Sequence, residues 1–208
     1  MKLNNKQLKK INENGYIILS GCFSNKEVNN LRKEMKKVFK EKSEANIIEK
    51  SSGVVRTAMG LHLRSKIFNN LTRHPKFFEP ASQIIGHNLY IQQTKINIKA
   101  AFTGEVWQWH YDFATHFGED GVPKPLALNL HVYLDDVTEF NGPLFFIPKS
   151  HKYGSAPSKL DTVTTNYPLW VVDHKNVKDL VKKNGIVSAH GKAGTVVIFV
   201  DNLVHGSA

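Results

Sequence analysis

Hydrophobic and polar positions change period partway along the chain. Leu8 and Ile11, set in an otherwise polar stretch, predict a short N-terminal helix that ends at Asn14 and Gly15, because glycine readily takes the left-handed conformation that closes a helix. Residues 16–19 (YIIL) predict a short strand. Ser24 and Glu27 have the spacing of a capping box, and behind them Val28, Leu31, Met35, Val38 and Phe39 recur every three or four residues, which predicts an amphipathic helix. Residues 41–52 are polar and read as a loop from which Ile47 and Ile48 can touch a core. Ile67, Phe68 and Leu71 predict another helix, and Pro75 suits the first position of one running towards Ile84, Ile85 and Gly86.

After Gly86 the period becomes two. Residues 90–100 alternate roughly and 126–134 (LALNLHVYL) alternate strictly, with Leu126, Leu128, Leu130, Val132 and Leu134 on one face of a half-buried strand. The short apolar runs at 144–147 and 195–200 predict buried strands. Helices come first and strands follow, without the regular alternation that builds a parallel doubly wound sheet. The fold class expected is therefore α+β, with N-terminal helices packed on a β-sandwich or jelly-roll-like barrel. One domain is expected over 1–208, helical to about residue 86 and jelly-roll from about 87.

Composition narrows the function classes. At 208 residues, with 41% hydrophobic and 22% charged side chains, the chain is long enough for one domain with a real core. It contains no apolar run approaching the roughly 18–20 residues that cross a bilayer, and its first residues lack the core of a secretory signal, so a cytoplasmic location and no membrane partner are expected. The single cysteine, Cys22, cannot form an internal disulfide or a thiolate metal site, so nitrogen and oxygen must hold any metal. The net charge of +10 is concentrated in the first fifty residues, which carry twelve basic and six acidic side chains. Those lysines alternate with Asn, Glu and apolar residues and not with aromatics, the texture of a solvated helix surface and not of a nucleic-acid groove. No nucleic-acid partner is expected.

His110 and Asp112 are the first candidates for chemistry, since residues two apart on a strand point an imidazole and a carboxylate to one side. With a second histidine they make the facial triad that leaves positions on a non-haem Fe(II) open. His205 follows the core strand at 195–201, and a jelly roll can bring that strand beside the one carrying His110. His131, on the polar face of the alternating strand, and His151, in a turn, take structural readings, and Asp135 and Asp136 mark a turn.

Together with the WHYD at 109–112, the segments 89–99 (LYIQQTKINIK), 119–123 (EDGVP), 141–143 (NGP), 148–151 (PKSH) and 205–207 (HGS) resemble the phytanoyl-CoA dioxygenase family, in its ectoine hydroxylase-like branch. Gly15 and Tyr16, Gly53 to Arg56, and His62 fit the same pattern. The resemblance implies a double-stranded β-helix (jelly roll, cupin-like) that uses Fe(II), 2-oxoglutarate and O2 to hydroxylate an unactivated C–H bond of a small polar metabolite, ectoine-like or amino-acid-like, with release of succinate and CO2. It assigns iron to His110, Asp112 and His205, and 2-oxoglutarate to Gln93, Asn97, Lys99, Trp107 and Ser207. Lys99 offers a cation and the amides hydrogen bonds to carboxylate oxygens. The retained Asp112 favours hydroxylation over halogenation, for which related enzymes place a small residue there. His116 stands where ectoine hydroxylases carry tryptophan and is expected at the pocket mouth, touching substrate; Arg56 could meet a substrate carboxylate or form an internal pair. The family also places an arginine about eleven residues beyond the distal histidine, whereas this sequence ends at Ala208, so a C-terminally incomplete jelly roll is expected. A catalytically impaired metal-binding or scaffold protein is the alternative. A monomer or homodimer is expected.

Overall fold

A computed structural model describes residues 1–49, 52–99, 106–164 and 168–207. In chain order its elements are α1 (Asn5–Asn14), β1 (Tyr16–Leu19), α2 (Asn25–Lys40), β2 (Asn46–Ile48), β3 (Val55–Met59), α3 (Leu61–Arg64), α4 (Lys66–Thr72), α5 (Pro75–Ile84), β4 (Lys95–Asn97), β5 (Trp107–His110), α6 (Asp112–Gly118), β6 (Leu128–Val132), β7 (Leu144–Phe146), β8 (Ser158–Asp161), β9 (Leu169–Val172), α7 (His174–Asn184), β10 (Val187–Ala189), β11 (Val196–Val200) and β12 (His205–Ser207). No helix among the described residues is long and apolar enough to cross a membrane.

Two antiparallel sheets face each other to form the jelly roll. One holds β1, β11 and β6 with β11 in the middle, and the other runs β10-β7-β12-β5-β9-β8. Aromatic rings join their inner faces: Tyr16 of β1 stacks on Phe146 of β7 at 4.8 Å between centroids, and Phe146 meets Phe199 of β11 at 5.1 Å. A smaller sheet, β2-β3-β4, stands apart from these two.

The pattern of the first sheet follows from what covers each side. Val196 and Ile198 point outward with Ile17, Leu19, Leu128 and Leu130 to pack on Ile11, Phe23 and Val28 of the helical layer, while Val197 and Phe199 point inward. Covered on both faces, β11 reads as an unbroken apolar run. In β6 the strict alternation sends Leu128, Leu130 and Val132 to the helices. The register pairs Asn129 with Phe199 and His131 with Val197, so both polar residues face the space between the sheets. The polar face of this strand is thus the inner one, and the helices cover the apolar face.

Local signals set the helical layer. Asn4 and Gln7 form a capping box on α1, which Gly15 closes at φ +86°. On α2, Ser24 Oγ accepts from the Glu27 backbone N–H at 3.3 Å, and the Glu27 carboxylate accepts from the Ser24 N–H at 2.7 Å. The same carboxylate accepts from Lys76 Nζ at 2.8 Å, which ties α2 to α5.

Several elements differ from the sequence reading. The loop expected over 41–52, of which Lys50 and Ser51 lie outside the described residues, contains β2; its buried Asn46 donates to the Val38 and Glu41 carbonyls, both at 3.0 Å. The strand expected over 90–100 shortens to β4, the stretch that pairs with β3. Two helices interrupt the strand-rich half. For α7 the signal was present: Asp173 accepts from the Lys175 N–H as N-cap, Val177, Leu180 and Val181 recur at helical spacing, and Gly185 follows the last residue.

Ile198 is fully buried and faces away from the interior between the sheets. Ile198→Ala is expected to cost about 2–5 kcal/mol in chemical denaturation. For Glu27, Lys76 and then Ser24 lower the carboxyl from its usual 4.5 to about 2. A depressed carboxyl stabilises the fold above its unfolded value and loses that contribution as pH falls through the folded one. The stability gap between wild type and Glu27→Gln is therefore expected to close between pH 4.5 and about 2, and to be small, since the side chain is 37% exposed and screened. Urea titrations across that range check it.

Candidate metal centre

The site begins with a strand pairing. β12 lies between β7 and β5, and its register sets His205 directly opposite His110, with ring centroids 4.2 Å apart. It is β12, and not the preceding strand, that lies beside His110, because β11 belongs to the facing sheet. The approach to β12 is fixed where the Val204 N–H donates to Ser150 Oγ at 2.9 Å and the Ile147 N–H to the Val204 carbonyl at 3.0 Å. Gly206 lies so close to β5 that a Cβ there would come within 3.0 Å of the Trp107 carbonyl oxygen.

Asp112 arrives differently from the expectation of one continuous strand. β5 ends at His110, Tyr111 turns the chain, and Asp112 opens α6, where a carboxylate complements the helix dipole. The outcome still converges: one ligand atom from each of His110, Asp112 and His205 lies within 4.8 Å of the others. His110 Nε2 is 3.7 Å from Asp112 Oδ1, and His205 Nε2 is 3.8 Å from Asp112 Oδ2.

Neighbouring groups fix the ring tautomers. His110 Nδ1 is 2.6 Å from the Gln108 carbonyl and His205 Nδ1 is 2.9 Å from the Leu203 carbonyl. A carbonyl only accepts, so each Nδ1 carries the proton and each Nε2 offers its lone pair to the centre, the arrangement metal-binding histidines use. Asn129 of β6 donates its side-chain amide to Asp112 Oδ2 at 2.9 Å. Two imidazole nitrogens and a carboxylate oxygen on one side of a point suit a divalent first-row metal with positions left open.

Burial sets the protonation states. It pushes His110 down to about 3 and is the largest cause of the lowered value at His205, so both rings are neutral and ready to bind metal. Burial raises Asp112, but His205, Lys95, His110 and His116 together lower it further, and it ends below the ordinary carboxylate range. His131 is pushed down to about 4 by burial and then by Lys95; its ring packs edge-on against Phe199 at 5.2 Å, and Phe199 in turn meets His205 at 4.8 Å.

The other anticipated residues lie at varied positions. Ser207 is buried two residues beyond His205 and pairs with Trp107 across β12 and β5. Gln93 precedes β4 and is exposed, as is Asn97, whose Oδ1 accepts from Thr57 Oγ1 at 2.9 Å. The stem of Lys99 passes over the turn at Gly142, where φ is +74° and a side chain would fall 2.8 Å from Lys99 Cγ. The ammonium that acts on the triad and on His131 is that of Lys95, which shares a strand face with Asn97. Arg56 is buried in β3 with its guanidinium 4.3 Å from the Trp107 ring, and it donates to the Val106 carbonyl at 3.2 Å, so it braces the pocket wall from behind and does not open to substrate. His116 does not stand at a pocket mouth either: it is buried, with Nδ1 3.0 Å from Asp201 Oδ1.

Lys95, Asn129, His131 and Asp201 were missed as site residues. Asn129 and His131 carried a signal, two polar positions at period two in an apolar strand, but a single strand does not reveal which of its faces is the inner one.

The family model for phytanoyl-CoA dioxygenase (PhyH) matches residues 11–208. An ectoine dioxygenase of Bordetella bronchiseptica is 34% identical over 213 residues, covering 97% of this chain and 68% of its own length. An L-proline trans-4-hydroxylase of Streptomyces griseoviridis is 31% identical over 204 residues, covering 93% and 76%. Among solved structures, EctD from S. alaskensis with 2-oxoglutarate and 5-hydroxyectoine superposes with a TM-score of 0.85 at 31% identity, covering 99% of this chain and 70% of that one. The same protein with bound Fe gives 0.86 at 30% identity, covering 99% and 70%.

Asn129→Leu removes the amide that orients Asp112, and Fe(II) affinity is expected to fall about 10–100-fold in anaerobic calorimetric titration. An affinity within twofold of wild type would mean that the amide does not orient the ligand.

Proposed function

The chain belongs to the phytanoyl-CoA dioxygenase family, and on that premise we propose that it is an Fe(II)- and 2-oxoglutarate-dependent dioxygenase that hydroxylates an unactivated C–H bond of a small polar metabolite. The observation that carries the reading is the convergence of His110, Asp112 and His205, with both imidazoles neutral and turned Nε2 inward. Ectoine dioxygenases and a proline hydroxylase among the relatives support a compact amino-acid-like or ectoine-like substrate.

His110, Asp112 and His205 would hold the iron. When bound, the iron and its keto-acid co-substrate supply the oxidising chemistry: 2-oxoglutarate and O2 are converted to succinate and CO2, and one oxygen atom enters the C–H bond. The work of the chain is to bind, orient and exclude water. The inner face that carries Asn129 and His131 is closed by Phe199 and Phe146, which keep the interior between the sheets apolar beyond the triad. In such surroundings a charge is held only by a partner, which favours a carboxylate-bearing ligand beside a cation. Gln93, Asn97, Lys99, Trp107 and Ser207 are assigned to 2-oxoglutarate by their positions in the family motifs, and the ammonium of Lys95 joins them because its charge reaches the triad. Trp107, braced by Arg56, would form a wall. Arg56 and His116 act on substrate at most through such neighbours.

The test is an anaerobic titration with Fe(II) and then 2-oxoglutarate. A visible charge-transfer band is expected on chelation in the wild type and its loss in His110→Ala; aerobically, Asp112→Ala should reduce succinate formation to background. Iron binding with no band, and no succinate with any small amino acid or cyclic zwitterion, would instead leave the alternative of a metal-binding scaffold.

A further inference from the structure

We propose that the buried pair formed by His116 and Asp201 is a positioning device for Asp112, fastening the helix that carries this carboxylate to the end of β11. The inference rests on the reading of the triad as a metal centre and concerns how its one carboxylate is held still.

Helix α6 is seven residues long, too short to be stable alone, so its placement must come from tertiary contacts. Asp112 opens it, and His116 lies one turn on, on the same side. Asp201 grips both points. Its backbone carbonyl accepts from the N–H of Phe113, the residue after Asp112, at 3.1 Å, and its carboxylate Oδ1 is 3.0 Å from His116 Nδ1. Asp201 is in turn fixed to the strand entering β6, where its own N–H donates to the Ala127 carbonyl at 3.1 Å. Two residues further along that strand, Asn129 holds Asp112 Oδ2. The metal carboxylate is therefore held by its own oxygen and by the helix beneath it, from one strand.

Asp201 is fully buried, and among the described residues no side chain but His116 reaches its carboxylate. An anion at such a depth needs a charged or hydrogen-bonding partner, so the two positions act together. An apolar side chain at residue 116 would leave the buried Asp201 carboxylate without that partner.

The test uses the whole chain and reads Co(II) affinity and the Co(II) d–d absorption spectrum under anaerobic conditions, with thermal unfolding of the metal-free protein measured beside them. His116→Leu is expected to weaken Co(II) binding about tenfold and to alter the spectrum, while His116→Gln, which keeps a donor towards Asp201, stays within about threefold of wild type. Should His116→Leu fail to fold, the double variant His116→Leu/Asp201→Leu, which removes the buried charge with its partner, carries the same comparison. Wild-type affinity and spectrum in folded His116→Leu, or in the double variant, overturn the inference, and so does an equal loss in His116→Gln. Failure of the wild-type chain to bind Co(II) overturns the metal-centre reading and this inference with it.

Discussion

The site depends on one cross-strand pair. His110 and His205 are far apart in sequence, and their rings meet because β5 and β12 are neighbours in register. Nothing local enforces that meeting. The intervening chain must first lay down β7 on one side of β12 and β9 on the other side of β5, and must turn back through β11 in the opposite sheet. The closure entropy of so long a segment is met by the packing of both sheets, so the metal centre and the jelly roll form together or not at all. Gly206 shows how tight the register is: a side chain there would press on the backbone of the partner strand.

The same packing explains why a polar interior is tolerated beside a dry one. On the outer face of the sheet formed by β1, β11 and β6, Ile198, Leu130 and Ile17 pack on apolar residues of the helical layer. Inside, the polar groups of the triad have counterparts, ring N–H groups on backbone carbonyls and the Asn129 amide on Asp112, and His116 faces Asp201 as an ion pair. Buried polar groups that are paired cost little, whereas unpaired ones would be expensive. His131 is the exception: it makes no hydrogen bond to the described residues and rests its ring on Phe199.

Legibility in the sequence tracked how local each signal was. The capping box at Ser24 and Glu27, the left-handed Gly15, the two-sided β11 and the alternation of β6 are all encoded within a few residues, and they matched the structure. The His110–Asp112 spacing was read correctly as convergent, though for the wrong local reason, since the strand stops and a helix begins between them. Position 116 is not legible because burial is a property of the packed fold: His116 is drawn inward by Asp201, which lies on another element, while Arg56, left open between substrate and interior, lies inside beside Trp107. Which face of β6 is the inner one is not legible for the same reason. Helices covering an apolar face make the polar side the interior, and a single strand does not carry that information.

Charge arithmetic at the centre links these features to the co-substrate. Burial keeps His110 and His205 neutral, so the triad brings the single negative charge of Asp112 to a divalent ion, and the pair of His116 with Asp201 is neutral in itself. A divalent iron held by these three ligands would carry one net positive charge, and Lys95, whose charge acts on Asp112, would add to it. An interior of low dielectric does not hold uncompensated positive charge without cost, and a dicarboxylate supplies negative charge that offsets it. The net charge of +10 says nothing of this site, whose own balance favours a dianion: two rings held neutral by burial leave Asp112 as the single anion of the triad, and the charge of Lys95 acts on it.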